Sequence, residues 1–374
     1  MPISTPLRAP WIFAATLLAA APIAAQADTF VAREMCYCLV SDFSDNGGAA
    51  TGHLNGSNDT FRWSASGGAK SLGRGTFRTL HRGSGVPAIS ADGRVIGSTI
   101  LDDTKTMGTQ GLWTLGTGWQ QLMPPRPADG GVVDAEDGSV FGMSRDGSTV
   151  TGLYWRNTSE GGLAHASRWT AATGVADMGS SGGSSRIDDA NRDGSVLVGW
   201  DEHPLWGIRR AVVWVNGVKT FLVDPDNDWP SEAGAVNADG TIIVGQAVDP
   251  IKQLQSAVMW KWNGSEWVKK ILGVLPNTRT SGSAFAGGLS DDGSIVVGTA
   301  FKGMMAPMMG FVWTEAGGLV EATQYFRDRG YDVGRKLTLV SVNAISADGL
   351  VMGVVAAERK SGQNVSIAVR KVVD

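Results

Sequence analysis

Few residues in this 374-residue chain have the types and spacing for chemistry. Two carboxylate doublets, Asp102-Asp103 and Asp188-Asp189, have the composition of a general acid and base, provided that a shared central channel brings them together. Adjacent residues on a regular strand face opposite ways, so each doublet is expected to be an ordinary loop pair. Asp224, Asp226 and Asp228, with Glu232 beyond them, put alternate carboxylates at the spacing of a calcium loop, which makes calcium the one candidate cofactor. Trp229 occupies the place where an EF-type loop needs glycine, and Pro225 and Pro230 suit a solvated acidic turn, so the turn is the expectation. His53, His81, His165 and His203 share no metal-ligand spacing, and no Gly-x-Ser-x-Gly, phosphate loop or zinc motif is present. The sequence therefore names no catalytic residue.

Aromatic residues offer more. Trp200 follows a glycine that closes a β-branched run, and Tyr154-Trp155 stands just past the matching glycine of the preceding unit. With Trp206 and His203 nearby, these are the candidate ligand-binding residues, since flat rings stack on sugar faces or on apolar partner side chains. The competing expectation is that the rings pack between structural units. Cys36 and Cys38, two apart in what reads as a first strand, would have Cα atoms about 7 Å apart on a regular strand, near the limit for a bridge. A local disulfide, two buried thiols and a metal or redox pair all stay open.

The elements that must position these residues are set by a repeat. An acidic or amide residue and a glycine, then a β-branched run ending in another glycine, recur at Asn46, Asp92, Asp146, Asp193, Asp239, Asp292 and Asp348, with spacings of 46, 54, 47, 46, 53 and 56 residues. Tryptophans 63, 113, 169, 214, 260 and 313 follow those turns by 17 to 23 residues, and the same frame reaches Val369 in the last unit. Short runs such as Thr241 to Gly245 and Ser294 to Gly298 read as buried strands. Four short antiparallel strands per unit of about 50 residues predict an all-β, seven-bladed β-propeller over residues 28–374. The last unit lacks a fourth strand, which residues 29 to 34 must supply for the ring to close.

The first 27 residues have an apolar stretch from Trp11 to Ile23 and then Ala25-Gln26-Ala27, the layout of a secretory signal with cleavage after Ala27. Export to the periplasm or the medium follows. The remainder carries 31 basic against 36 acidic residues with no basic cluster, which excludes a nucleic-acid partner, and no later segment is apolar enough to span a membrane.

Segments such as His165 to Gly174, Gly310 to Gly318 and Ala344 to Gly349 resemble the HAF repeats of bacterial exported proteins. The stretch Ala322 to Gly330 resembles the short helix that precedes the final repeat in that family. The resemblance implies fold and export, and no reaction. The expected function is that of a monomeric binding or interaction module for a protein or glycan, using variable loops and a central funnel. A carbohydrate-active or other propeller enzyme of the envelope is the alternative, and a structural surface protein the second alternative.

Overall fold

The computed structural model describes residues 29–75, 85–105, 107–124, 137–158, 161–222, 229–332 and 336–373. Among them, 28 strands form antiparallel four-stranded groups, each running from an inner strand outward. The first six inner strands are Cys38–Phe43, Ala88–Ile89, Gly138–Met143, Ser185–Ala190, Ser231–Val236 and Ser283–Leu289. Leu337–Ile345 is the inner strand of the last group. These strands touch one another in a closed ring, the last against the first. The groups that start at Ser231 and Ser283 are joined by a single parallel pairing, Gln255 with Ser283. One short helix, Ala322–Arg327, stands between the last two groups.

Closure of the ring comes from the N-terminal side. Strand Thr29–Cys36 pairs antiparallel with Asn364–Val372, Thr29 opposite Val372 and Cys36 opposite Ser366. It is thereby the outermost strand of the last group, while the next strand, Cys38–Phe43, is the innermost of the first. Phe30 is buried and holds this strand down, with its ring centroid 5.5 Å from that of Phe326 and 6.1 Å from that of Tyr325 on the helix. Cys36 and Cys38 thus lie on different strands, separated by a bend at Tyr37. That bend brings their Cα atoms to 5.3 Å, and they form a disulfide.

The recurrent turn is locked by a residue that stands two before the acid, serine in five groups and asparagine in two. Ser44 Oγ accepts the amide of Ala49 at 2.9 Å and Ser346 Oγ that of Val351 at 2.9 Å, while Asn191 Oδ1 does the same for Val196 at 2.9 Å. The acid then accepts an amide two residues on, as Asp292 Oδ1 does from Ser294 at 2.9 Å. These are turn-forming bonds of short polar side chains to nearby backbone. Trp63, Trp214, Trp260 and Trp313 are all buried, and each pairs across strands with an apolar residue four past its turn acid or amide: Ala50, Leu197, Ile243 and Val296.

The glycine that closes each run has a separate cause. Six of the inner strands carry a β-bulge, for example between Val40 and Asp42 and between Ile187 and Asp189. In five groups the bulge pushes a carbonyl of the inner strand toward the second strand. A Cβ on Gly199 would lie 2.0 Å from the Arg186 oxygen, and one on Gly245 2.0 Å from that of Glu232. Only glycine fits there.

Two outcomes follow. Gly199→Ala should lower the unfolding free energy by about 2–3 kcal/mol, because the clash is with backbone that cannot rotate away. Phe30→Ala should cost about 3–4 kcal/mol through the lost aromatic packing, and deleting residues 28–34 should lower the melting temperature further still. Denaturant and thermal unfolding check both, and wild-type stability in the deletion would contradict closure by this strand.

Candidate functional site

The bulges decide which residues face the axis. Each inserts an extra residue into the inner strand, so that two successive side-chain positions turn toward the channel where a regular strand would turn one. These are the third and second residues before the turn serine or asparagine. They supply Ser41 and Asp42 in the first group, Phe141 and Gly142 in the third, and Asp188 and Asp189 in the fourth. Further round the ring the same positions hold Gly234 and Ala235, then Gly287 and Gly288, then Asn343 and Ala344, and Pro87 and Ala88 stand there in the second group. They line a central cavity of about 370 Å³. The acidic side chains come from the first and fourth groups, and the fifth and sixth groups, which follow the fourth in the ring, put almost no side chain into the cavity.

Asp188-Asp189 is therefore no loop pair, contrary to the expectation from strand alternation. The other doublet is one: Asp102 accepts Thr104 Oγ1 at 2.5 Å within a turn, and Asp103 is mostly exposed with Arg74 at 3.0 Å. In the cavity, Asp42 and Asp189 each also support the neighbouring group. Asp42 Oδ2 accepts the Ile89 amide at 2.8 Å, and Asp189 Oδ2 the Val236 amide at 3.0 Å. Asp188 pairs instead with Arg186 Nε at 2.7 Å. Burial raises all three carboxyls, pushing Asp188 up to about 6 despite Arg186, and Asp189 up to about 7 despite its backbone donors.

Below the carboxylates the channel has a floor of ions. The residue just before each turn acid or amide sits on the axis, and four of these seven positions are charged. Arg145 reaches Asp45 at 2.8 Å and Asp42 at 3.3 Å, and donates to the Phe43 carbonyl at 2.7 Å. Arg192 lies 3.0 Å from Asp45 and 3.6 Å from Asp291. Burial works against the Asp45 charge, but Arg145 and Arg192 prevail and hold its carboxyl below the usual range. The amides of this ring also bridge groups, Asp45 to Ala91 at 3.0 Å and Asp291 to Ala347 at 2.9 Å.

The tryptophan candidates are not brought together on one surface. Trp200 is buried, 3% exposed, with the Arg186 guanidinium 5.2 Å and that of Arg209 4.2 Å from its ring centroid. It opposes Arg186 across the bulged pair, so it packs beside the channel wall and offers no open face. Arg186 in turn lies 4.0 Å above Phe141. Trp155 is half-buried on its own strand, opposite Ala164. Trp206 is 65% exposed and stacks on His203 at 4.2 Å in the loop that follows Glu202.

Asp224, Asp226 and Asp228 lie outside the described residues. Glu232 is inside them and is engaged by Arg209 Nη1 at 3.0 Å. Among the described residues no group of three or more His, Cys, Asp or Glu is placed to hold a metal ion. Nor is there a helix long and apolar enough to cross a membrane.

No protein-family model matches the chain, and no curated protein matches it significantly. Solved structures do. The propeller domain of the trilobed protease from Pyrococcus furiosus is similar over 94% of this chain and 97% of its own length, at 11% identity and a TM-score of 0.53. The Cps50 (Swd1) propeller of Myceliophteria thermophila is similar over 92% of this chain and 100% of its own, at 8% identity and a TM-score of 0.51. TolB from Acinetobacter baumannii matches 89% of this chain at 13% identity and a TM-score of 0.42, and this chain spans 64% of TolB's length. The fold is a β-propeller. At these identities the likeness extends to the scaffold alone, and one scaffold hosts many activities.

The raised carboxyls give stability a definite pH dependence. Values above those of the unfolded chain mean that the native state keeps protons which the unfolded state has released. Their contribution is therefore present below about pH 4 and is lost as pH rises through about 6 for Asp188 and about 7 for Asp189. Asp189→Asn should flatten this fall, which denaturant unfolding at several pH values from about 4 to about 8 measures.

Proposed function

We propose that this chain is an exported propeller that works as a binding module, with the central cavity as its ligand site. The observation that supports this reading is the asymmetry of the cavity wall. Positions that fold the propeller repeat from group to group, whereas the two cavity positions do not. They are Asp188 and Asp189 in one group and Gly287 and Gly288 in another, in the same place in the frame. Asp42 and Asp189 also brace neighbouring groups through backbone amides, whereas Asp188 has a side-chain partner, Arg186, and lines the cavity. The glycine-lined stretch leaves room for a ligand, and the carboxylates with Arg186 and Asn343 supply polar partners to orient it.

A protein loop or a glycan with hydrogen-bonding and cationic groups fits this chemistry. Export to the periplasm or the medium, and kinship to the HAF-repeat proteins, rest on the sequence segments given above and belong to the same proposal. A glycan array and a peptide array with residues 28–374 are the direct screen. On any ligand found, Asp188→Asn should weaken binding about tenfold or more, as removal of a charge-assisted partner does. Its melting temperature should stay near the wild-type value. Unchanged affinity would place the ligand elsewhere.

The enzyme reading keeps one observation in its favour. Two adjacent carboxyls at about 6 and about 7 in one cavity have the proton affinities of a neutral-pH acid and base. Chemical change of a bound ligand, read by mass spectrometry, separates this reading from simple binding.

A further inference from the structure

The four most exposed large apolar residues of the described chain all stand on one kind of loop. Leu205 is 80% exposed, Ile251 90%, Met304 82% and Met305 93%. Each lies in the link between the second and third strands of its group, and the three groups follow one another in the chain. In an antiparallel meander these links share one end of the propeller, opposite the signature turns. Trp206 belongs to the same set.

The exposure is built in. In the first loop His203 donates its amide to the Ile208 carbonyl at 2.8 Å, and Trp206 stacks on the His203 ring. The second is held by buried Asp249, whose Oδ1 accepts the amides of Ile251 at 2.9 Å and Lys252 at 3.2 Å. In the third, Met304 donates its amide to Ser281 Oγ at 3.0 Å and Ala306 to the Gly303 carbonyl at 2.9 Å. Backbone fixed in this way, with apolar side chains aimed outward, differs from a loop that could fold them under.

Charge indicates what covers the tips. The three links, residues 203–208, 249–254 and 302–307, contain Lys252 and Lys302, and their one acid, Asp249, is buried. Exposed Arg279 lies beside them, its amide on the Lys302 carbonyl at 2.9 Å. Lys302 lies 3.7 Å from Glu321. A chain of net charge −4 therefore keeps acidic side chains off these tips and leaves cations beside them. Separate protruding apolar tips suit a soft medium better than a flat protein surface. Cations one or two residues away then sit at the depth of lipid headgroups.

We infer that these three loops dock the propeller peripherally on an anionic lipid surface, with Leu205, Trp206, Ile251, Met304 and Met305 entering the interface and Lys252, Lys302 and Arg279 against the headgroups. This goes beyond the cavity reading and does not depend on what the cavity holds.

Co-sedimentation of residues 28–374 with vesicles of phosphatidylcholine alone, and of phosphatidylcholine mixed with phosphatidylglycerol, tests it. Partition onto the mixed vesicles should exceed that onto neutral ones and weaken as salt rises. The Ile251→Ser, Met304→Ser, Met305→Ser triple variant should partition at least about tenfold more weakly. These residues are solvent-facing, so its circular dichroism and melting temperature should match wild type. Lys252→Glu with Lys302→Glu should remove the preference for the anionic vesicles. Absence of wild-type binding, or equal binding by the triple variant, overturns the inference. So does a concentration-dependent dimer in sedimentation velocity that the triple variant abolishes, since the tips would then belong to a second copy of the chain.

Discussion

The contact between the bulged carbonyl of an inner strand and the glycine facing it is the constraint on which this propeller turns. Inner strands converge on one axis, and a regular pleat would send alternate side chains into a space too narrow for them. The bulge relieves this by twisting each strand and inserting a residue, but it pushes a carbonyl such as that of Arg186 to within 2.0 Å of where a neighbour's Cβ would stand. Gly52, Gly152, Gly199, Gly245 and Gly298 accept that carbonyl. The second and seventh groups resolve the crowding differently. Their closing glycines, Gly97 and Gly353, oppose Ala88 and Ala344, one pairing position away from the others. This is why the run from turn to glycine is one residue shorter there.

From that contact the channel follows. Two residues per bulged strand face the axis, and in the fourth group both are aspartates. Carboxylates so placed are costly to ionise, and the chain offsets the cost with backbone amides of adjacent groups and with Arg145 and Arg186. Asp42 thereby links the first group to the second and Asp189 the fourth to the fifth, so that two of the cavity carboxylates are also mortar. Asp188 is different: its partner is a side chain, Arg186, which is itself shared with Phe141 and packed beside Trp200. The ion floor of Asp45, Arg145, Arg192 and Asp291 seals the turn end and ties together groups that do not touch through their sheets.

The sequence made the repeat legible because turn chemistry is local. Asp-Gly turns, β-branched runs and a tryptophan at a fixed distance report on residues within about 20 positions of one another. The closing strand was legible for a related reason, since a missing fourth strand is a matter of counting. The cavity was hidden because alternation, the rule used to place Asp188 and Asp189, holds only for regular strands. A bulge shows itself most plainly in the glycine of the next strand. Trp200 misled for the same reason. Placed after a glycine, it looked like a residue at an open strand end, yet it stands opposite Arg186 at the bulge. Aligning the units on the turn serine or asparagine shows the signal, because the third and second positions before it vary in charge and size while their neighbours stay apolar.

The two ends of the molecule divide labour along the same line. At the turn end every group repeats one hydrogen-bonding device, and the few departures, Asp45, Arg145, Arg192 and Asp291, neutralise one another on the axis. At the other end the links between second and third strands share no residue pattern, although four of them are six residues long, and their charges are not paired off in the same way. Asp249 shows the logic within a single loop. Its carboxylate is buried and spent on the amides of Ile251 and Lys252, so the acidic side chain that could offset Lys252 is turned inward, and Ile251 is held 90% exposed. Hydrogen bonds that could have hidden an isoleucine instead present it. A surface of this kind is stable only because the propeller beneath it needs nothing from those tips.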